Sequence, residues 1–270
     1  MTRMDRLALH WGRHLPALCL GLWLLPVAGA FAHWWQPQWY WIPTLCVSVV
    51  AAALAHAWVQ SVRRRFIREA PLPRHLQRKL LAAYPHLQPR DAELIERGLR
   101  QFFLACAQSR RQLVAMPSQA VDTLWHAFIL HTQAYRRWCQ LALGHFLHHT
   151  PAEALGMRAR HNDALRRAWF WACKEESIDP RAPSRLPLLF ALDAKLAIPG
   201  GFHYLPDCRL SGPAAAKADG SGGSPYCGTH FSDSSYSGSA DDFGGADSSD
   251  GGGDGGDGGG CGGGGCGGGD

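Results

Sequence analysis

The segment that decides the fold is residues 117–151, PSQAVDTLWHAFILHTQAYRRWCQLALGHFLHHTP. Its apolar side chains recur at the spacing of one helix face. They are Val121, Leu124, Trp125, Phe128 and Ile129 in the first half, and Tyr135, Trp138, Cys139 and Ala142 in the second. Ser118 is a suitable N-cap for the first helix, and Gly144 is a natural stop for the second. The segment therefore predicts two helices followed by a histidine-rich connector.

The residues on either side of this segment continue the helical pattern. A helix is expected to begin near Pro89, another at the capping box Thr150-Pro151-Ala152-Glu153, and a short one is expected to end before Pro199. No alternating apolar–polar run is long enough to predict a strand. The sequence therefore predicts an all-α domain of five to six helices over residues 76–206.

Two apolar runs precede this domain, at residues 15–32 and 42–59, and each is near the lower length limit of a transmembrane helix. Arginines come before the first run and after the second, and the link between the runs is rich in Trp. The positive-inside rule then places both termini in the cytoplasm, as a hairpin in the inner (cytoplasmic) membrane. The predicted multi-pass anchor covers residues 1–60, and the basic residues 61–75 are expected to form a juxtamembrane linker.

Two alternatives to the uncleaved hairpin stay open. The first run also has the features of a cleaved signal peptide, with a basic start and small residues at Ala28, Ala30 and Ala32. A hairpin buried in a soluble protein is the other alternative, which the absence of charges and the belt of Trp residues disfavour.

The last segment, residues 207–270, contains 23 of the 31 glycines and 10 of the 22 acidic residues. Such a composition cannot bury enough apolar surface to fold, so a disordered tail of Gly, Ser, Asp and Cys is expected. The nine cysteines of the chain are irregularly spaced, which is not typical of a secreted disulfide framework. Reduced thiols that face the cytosol are the better interpretation.

A metal site is the first chemical hypothesis for the central segment. Asp122, His126, Cys139 and His149 are ligand types that suit zinc, and they are the predicted ligands. Asp122 and His126 are four residues apart on one helix flank, and the connector can fold its histidines back towards them. The spacing differs from the metalloprotease signature, because Ala127 stands where that signature has Glu. No other cofactor is expected.

Two further interpretations of the same residues stay open. Asp122 can accept a hydrogen bond from His126 and hold two helices together, with Trp125 and Tyr135 as core aromatics that each keep one polar group. Cys139 is also a candidate nucleophile, but a position on the inner face of a helix favours an inert thiol. No phosphate-binding loop, dinucleotide fingerprint or nucleophile elbow is present.

The central segment resembles the glycine-rich domain protein family, in a bacterial membrane-anchored form with a Cys- and Gly-rich tail. The resemblance depends on the pattern P-S-x-x-V-D-x-x-W-H and the residues after it, which are Pro117, Val121, Asp122, Trp125, His126, Tyr135, Cys139, Gly144, His148, His149 and Pro151. It implies a helical domain joined to glycine-rich sequence, and it implies no catalytic mechanism. Phe128 stands where the plant-type pattern often has a second histidine.

These observations favour a non-catalytic interaction or scaffolding module, with the lipid bilayer and an unidentified protein as partners. One alternative is a metal-binding sensor or metal-dependent enzyme that uses the Asp, His and Cys residues of 122–149. Another is RNA binding, suggested by the net charge of +5. Nucleic acid is not the expected partner, because the basic residues cluster beside the apolar runs.

Overall fold

The computed structural model describes residues 9, 21–24, 27–30, 32, 39, 41–149, 158–207 and 226–231. Its longer helices are α1 Trp41–Glu69, α2 His75–Ala83, α3 Pro89–Gln108, α4 Gln119–Ile129, α5 Thr132–Ala142, α6 Arg158–Glu175 and α7 Leu188–Lys195. Two short strands, β1 Tyr204–Leu205 and β2 Tyr226–Cys227, and a 3₁₀ helix, Gly228–Phe231, follow α7. The all-α prediction is confirmed, and six helices of the described chain follow α1.

Helix α3 lies at the centre of the domain and packs against α1, α2, α4, α6 and α7. Its start is set locally, because Pro89 occupies the first turn and the Asp91 carboxylate accepts the backbone N–H of Gln88 at 2.8 Å. Ile95, Leu99 and Phe103 are completely buried along its length. This one helix therefore supplies the surface on which the other helices assemble.

Helix α1 runs without a break from the apolar residues into the domain core. Its first turns expose large apolar side chains such as Ile42, Val47 and Leu54, whereas Val59 and Ile67 are buried. It is the only helix of the described chain that is long and apolar enough to cross a membrane.

The prediction of a linker over residues 61–75 was therefore wrong for its first part. Val62 and Ile67 are buried among the arginines of this stretch, and their burial in the core keeps the chain helical as far as Glu69. Arg100 closes the helix end by donating to the backbone carbonyl of Ile67 at 2.7 Å. Pro71 then prevents the helix from continuing.

The first expected membrane span, residues 15–32, lies largely outside the described residues. Two short described pieces of it, residues 21–24 and 27–30, are helical. The indole N–H of Trp23 donates to the Ser48 hydroxyl of α1 at 2.9 Å. This contact brings the first apolar run beside the second.

A buried carboxylate joins α7 to the start of α4. Ser118 caps α4 as predicted, because its hydroxyl oxygen accepts the N–H of Val121 at 3.2 Å. The same hydroxyl donates to Asp193 of α7 at 2.6 Å. Asp193 is 1% exposed, and it also accepts the backbone N–H groups of Gln119, Ala120 and Phe202 at 2.7, 3.2 and 3.0 Å. The negative charge thus lies at the positive end of the α4 dipole.

Part of the segment expected to be disordered returns to the core. Strand β2 pairs in parallel with β1, in the register Tyr204 with Tyr226. Phe231 is 5% exposed, and its ring lies 5.2 Å from that of Trp169. Cys227 is disulfide-bonded, so the expectation of reduced thiols was wrong for this residue. The rest of residues 208–270 lies outside the described chain.

Replacing Asp193 by Asn is expected to destabilise the domain by about 3 kcal/mol, because an amide N–H would face the hydrogen-bond donors that now share one carboxylate. Chemical denaturation of the full chain in detergent measures the change. Asp163→Asn is the matched control, since Asp163 is half-exposed and its loss should cost less than about 0.5 kcal/mol. Equal effects of the two substitutions would contradict a special role for Asp193.

Candidate metal centre

Helix α4 places Asp122 and His126 on one flank, one turn apart. His126 Nδ1 lies 3.3 Å from Asp122 Oδ2. Both side chains point away from the stripe of Val121, Leu124 and Phe128 that is buried against the other helices. The predicted pairing of Asp122 with His126 is therefore present in the structure.

The connector after α5 brings a second histidine to the same carboxylate. Gly144 ends α5 with a positive φ of 79°, which L residues with a side chain rarely adopt. The Tyr135 hydroxyl donates to the carbonyl of Leu147 at 2.8 Å and accepts the indole N–H of Trp125 at 3.0 Å. This relay holds the connector against α4 two residues before His149.

His149 then lies between Trp125 and the Asp122 carboxylate. Its ring centroid is 4.8 Å from that of Trp125. His149 Nε2 lies 3.2 Å from Asp122 Oδ1, and the rings of His149 and His126 are 4.3 Å apart. The chain thus brings together three potential ligands from α4 and the connector.

One ligand atom from each of Asp122, His126 and His149 lies within 4.8 Å of the other two. In a tetrahedral zinc site with bonds of about 2.0 Å, neighbouring ligand atoms are about 3.3 Å apart. The N–O distances of 3.2 and 3.3 Å are close to that separation, but they end at the two different oxygens of the Asp122 carboxylate. A distance of 3.2 Å is also that of an ordinary hydrogen bond. The three groups are therefore close enough to surround a small cation, within the limit of 4.8 Å between their ligand atoms.

The site is open to solvent. The side chain of His126 is 50% exposed, and those of Asp122 and His149 are 25% and 21% exposed. Water can therefore occupy the remaining coordination positions of a bound cation. Two imidazoles and one carboxylate suit zinc, and they also suit other divalent transition metals.

Cys139 does not join this group, so the four-ligand prediction is wrong for this residue. The thiol is completely buried on the inner face of α5. It lies beside Tyr135 and the backbone of Leu147, on the core side of the connector. Burial raises the pKa of the Cys139 thiol, which disfavours the thiolate that a metal ligand or a nucleophile requires.

The remaining histidines of the central segment lie apart from the site. His148 packs against Phe146, with ring centroids 4.7 Å apart, and His145 lies 3.2 Å from the carbonyl of Leu143. His131 packs against His75 of α2, with ring centroids 3.8 Å apart and the ring planes tilted by 52°. Of the three connector histidines, only His149 reaches Asp122.

The contact between His75 and His131 was not predicted from the sequence. The Nε2 atom of each ring is buried without a hydrogen-bond partner in the described chain. The pKa of the His75 imidazole is lowered, first by desolvation and then by the nearby positive groups of His131, Lys79 and Arg78. The two residues are 56 positions apart, so no local pattern could have indicated the pair.

Comparison with known proteins gives a family for this domain. A family model described as UCP032817-like matches residues 62–231, which is more than half of the chain. The chain belongs to the UCP032817-like family. The match begins at Val62, where α1 enters the core, and it ends at Phe231, the last residue of the 3₁₀ helix. The family description names no reaction, ligand or partner. No curated protein and no solved structure in the comparison matches the chain.

The stability of the domain is expected to fall when the pH is lowered from about 7.5 to about 5.5. The folded protein keeps His75 neutral at pH values where the unfolded chain, with a pKa near 6.5, already binds a proton. As the pH falls, the unfolded state therefore takes up more protons than the folded state does. The stability that neutral His75 contributes is complete above about pH 6.5, and it is lost as the pH falls towards the lower pKa of the folded protein.

The midpoint temperature of unfolding, measured at stepwise pH, reports this dependence. His75→Asn should flatten the slope, whereas His86→Asn, a substitution at an exposed histidine, should keep the wild-type slope. A steep slope in His75→Asn would show that other groups cause the acid sensitivity.

Proposed function

We propose that this protein is a membrane-anchored, non-catalytic interaction module whose helical domain binds a divalent transition metal, zinc first, at Asp122, His126 and His149. The observation that carries the proposal is the convergence of the three ligand atoms within 4.8 Å. A bound cation would hold the connector against α4 more firmly than the contact between His149 and Asp122 does. Metal occupancy would then control the shape of this face of the domain.

The openness of the site favours a binding role over catalysis. Catalytic metal centres gain much of their effect from a water-excluded cavity, and half of the His126 side chain is exposed to water. The domain would therefore act as a metal sensor that presents one surface to an unidentified protein partner. The resemblance to glycine-rich domain proteins is compatible with such a role and stays a prediction.

Zinc is expected to bind the full chain with one-to-one stoichiometry and to raise its unfolding free energy by about 2.7 kcal/mol at 100 times the dissociation constant. Isothermal titration and thermal unfolding in detergent measure the two quantities. Asp122→Asn, His126→Gln and His149→Gln should each weaken binding about 100-fold, because each removes one direct ligand. The same experiments with iron, manganese and copper rank the metals.

Two controls make this experiment specific. His86→Gln removes an exposed histidine remote from the site, and Cys139→Ala removes the thiol that lies on the core side of the connector. Both should keep wild-type affinity. Full-strength binding by the three ligand variants would refute the site. Loss of stability in Asp122→Asn without any metal binding would favour a purely structural clamp between α4 and the connector.

The proposed anchor is a hairpin in the inner membrane, with both termini in the cytoplasm. The exposed apolar surface of α1 and the contact between Trp23 and Ser48 support this arrangement. The disulfide at Cys227 argues in the other direction, because such bonds are rare in the cytosol. The orientation of the protein in the membrane is therefore tested directly.

When it is fused to the C-terminus, a reporter that works only in the cytoplasm is expected to be active, and one that works only in the periplasm is expected to be inactive. A mass measurement of the membrane fraction should find the whole, uncleaved chain. Single cysteines that replace exposed serines, on a background in which the native cysteines are replaced, provide a second readout of the side on which the domain lies. A C-terminus accessible from the periplasm would contradict the proposed orientation. A chain that starts near His33 would replace the hairpin by one span behind a cleaved leader.

A further inference from the structure

A deep cleft lies where α1 leaves the apolar span and enters the domain. It is open to solvent, has a volume of about 1120 Å³ and is lined by the end of α1, the loop after α3 and the start of the connector. Six arginines line it, with Glu69 as the single carboxylate, and they are Arg63, Arg64, Arg65, Arg68, Arg110 and Arg111. The cleft is therefore strongly positive.

Four of these arginines, Arg63, Arg64, Arg65 and Arg111, form no ion pair with a carboxylate within the described residues. Arg68 instead donates two hydrogen bonds to Glu175 at 2.9 and 2.8 Å. A second cleft of about 650 Å³ provides an internal comparison. There, Arg100 pairs with Glu96 and Arg185 pairs with Glu176. Arg63, Arg64 and Arg111 of the first cleft have no such carboxylate partner among the described residues.

Arg63 is the residue that most clearly requires a ligand. Its guanidinium lies against Gly144, where a Cβ atom would come within 2.6 Å of Nη2. The Nε atom is buried and has no hydrogen-bond partner within the described chain. Desolvation lowers the pKa of this guanidinium. A partly buried positive group without an acceptor is costly, and an anion in the cleft would offset that cost.

The loop after α3 contributes two more arginines at a conformational cost. Arg110 and Arg111 have positive φ values of 44° and 70°, a backbone region that residues other than glycine rarely adopt. Such conformations persist where the surrounding structure holds them, often at ligand sites. Both residues line the cleft opposite α1.

In the proposed membrane anchor, the cleft would lie at the level where lipid headgroups begin. Arg63 is four residues beyond Val59, the end of the apolar run, which is about 6 Å along the helix axis. His56 and Ala57, inside that run, form the wall of the cleft on the side of the apolar residues. Phosphate groups of anionic lipids occupy this depth, and arginine binds phosphate through two parallel N–H groups.

We propose that this basic cleft binds a phosphate group, supplied at the membrane surface by the headgroup of an anionic phospholipid. The lipid source rests on the proposed membrane anchor, whereas the phosphate chemistry rests on the arginines alone. Occupation of the cleft would connect α1, the loop after α3 and the connector, and it is independent of the metal site on α4.

The test uses the full chain in a neutral detergent at constant ionic strength. Phosphatidylglycerol, phosphatidylcholine or inorganic phosphate is titrated, and the midpoint temperature of unfolding is followed. Phosphatidylglycerol is expected to raise the midpoint well above the value with phosphatidylcholine. Equal stabilisation by inorganic phosphate would support the phosphate site and assign it to a soluble ligand, which separates this result from a failure of the anchor.

Paired substitutions test which arginines bind the phosphate group. Arg63→Gln with Arg111→Gln should weaken phosphatidylglycerol binding about thirtyfold, because each charge near the surface contributes about five- to sixfold. Arg136→Gln with Arg137→Gln removes two charges from an exposed face of α5 and should leave binding unchanged. If the first variant does not fold, Arg64→Gln with Arg111→Gln replaces it, since both side chains are exposed.

Two results would overturn the proposal. One is equal stabilisation of the wild-type protein by the anionic and the neutral lipid, with no effect of inorganic phosphate. The other is an equal loss of affinity in the cleft variant and in the α5 variant, because binding would then depend only on net charge.

Discussion

The buried carboxylate of Asp193 is the constraint on which the arrangement of the domain depends. It lies at the N-terminus of α4 and accepts hydrogen bonds from Ser118, two amides of α4 and the amide of Phe202. A charge that is 1% exposed is tolerable only because these donors and the helix dipole satisfy it. The bonds set the position of α4 against α7, and α4 carries Asp122 and His126.

Helix α1 couples this domain to the apolar segment without a hinge. The same helix exposes Leu54 and buries Ile67, and the guanidinium of Arg100 closes its end. A continuous helix transmits both position and rotation, so the domain has a defined orientation relative to any membrane that holds the first turns of α1. This geometry places the basic cleft and the Asp122 site on different parts of the domain.

The two candidate sites differ in how their charges are satisfied. Asp122, His126 and His149 already contact one another, so a cation would replace weak contacts by bonds to metal. In the cleft, by contrast, Arg63 has a buried Nε without a hydrogen-bond partner in the described chain, and Arg64, Arg65 and Arg111 form no ion pair there. The first site therefore forms without a ligand, whereas the second carries an electrostatic cost that an anion would lower.

The sequence by itself determined the features that depend on neighbours in the chain. Helical periodicity, the cap at Ser118, the stop at Gly144 and the pairing of Asp122 with His126 all act within about one or two turns. The apolar residues 42–59 likewise indicated a long exposed helix. The expected linker and tail were wrong in part, because Ile67 and Phe231 are kept ordered by distant core residues that no local pattern reveals.

Only the tertiary structure decided which side chains meet. His149 reaches Asp122 across 27 positions, through a connector whose path depends on the Tyr135 hydroxyl. Cys139 shares a segment with both, yet the inward face of α5 takes its thiol into the core. The partners that Asp193 finds on α4, which are Ser118, Gln119 and Ala120, are likewise more than 70 residues away in the chain. Such contacts follow from the packing of whole helices, and local sequence rules carry no information at that range.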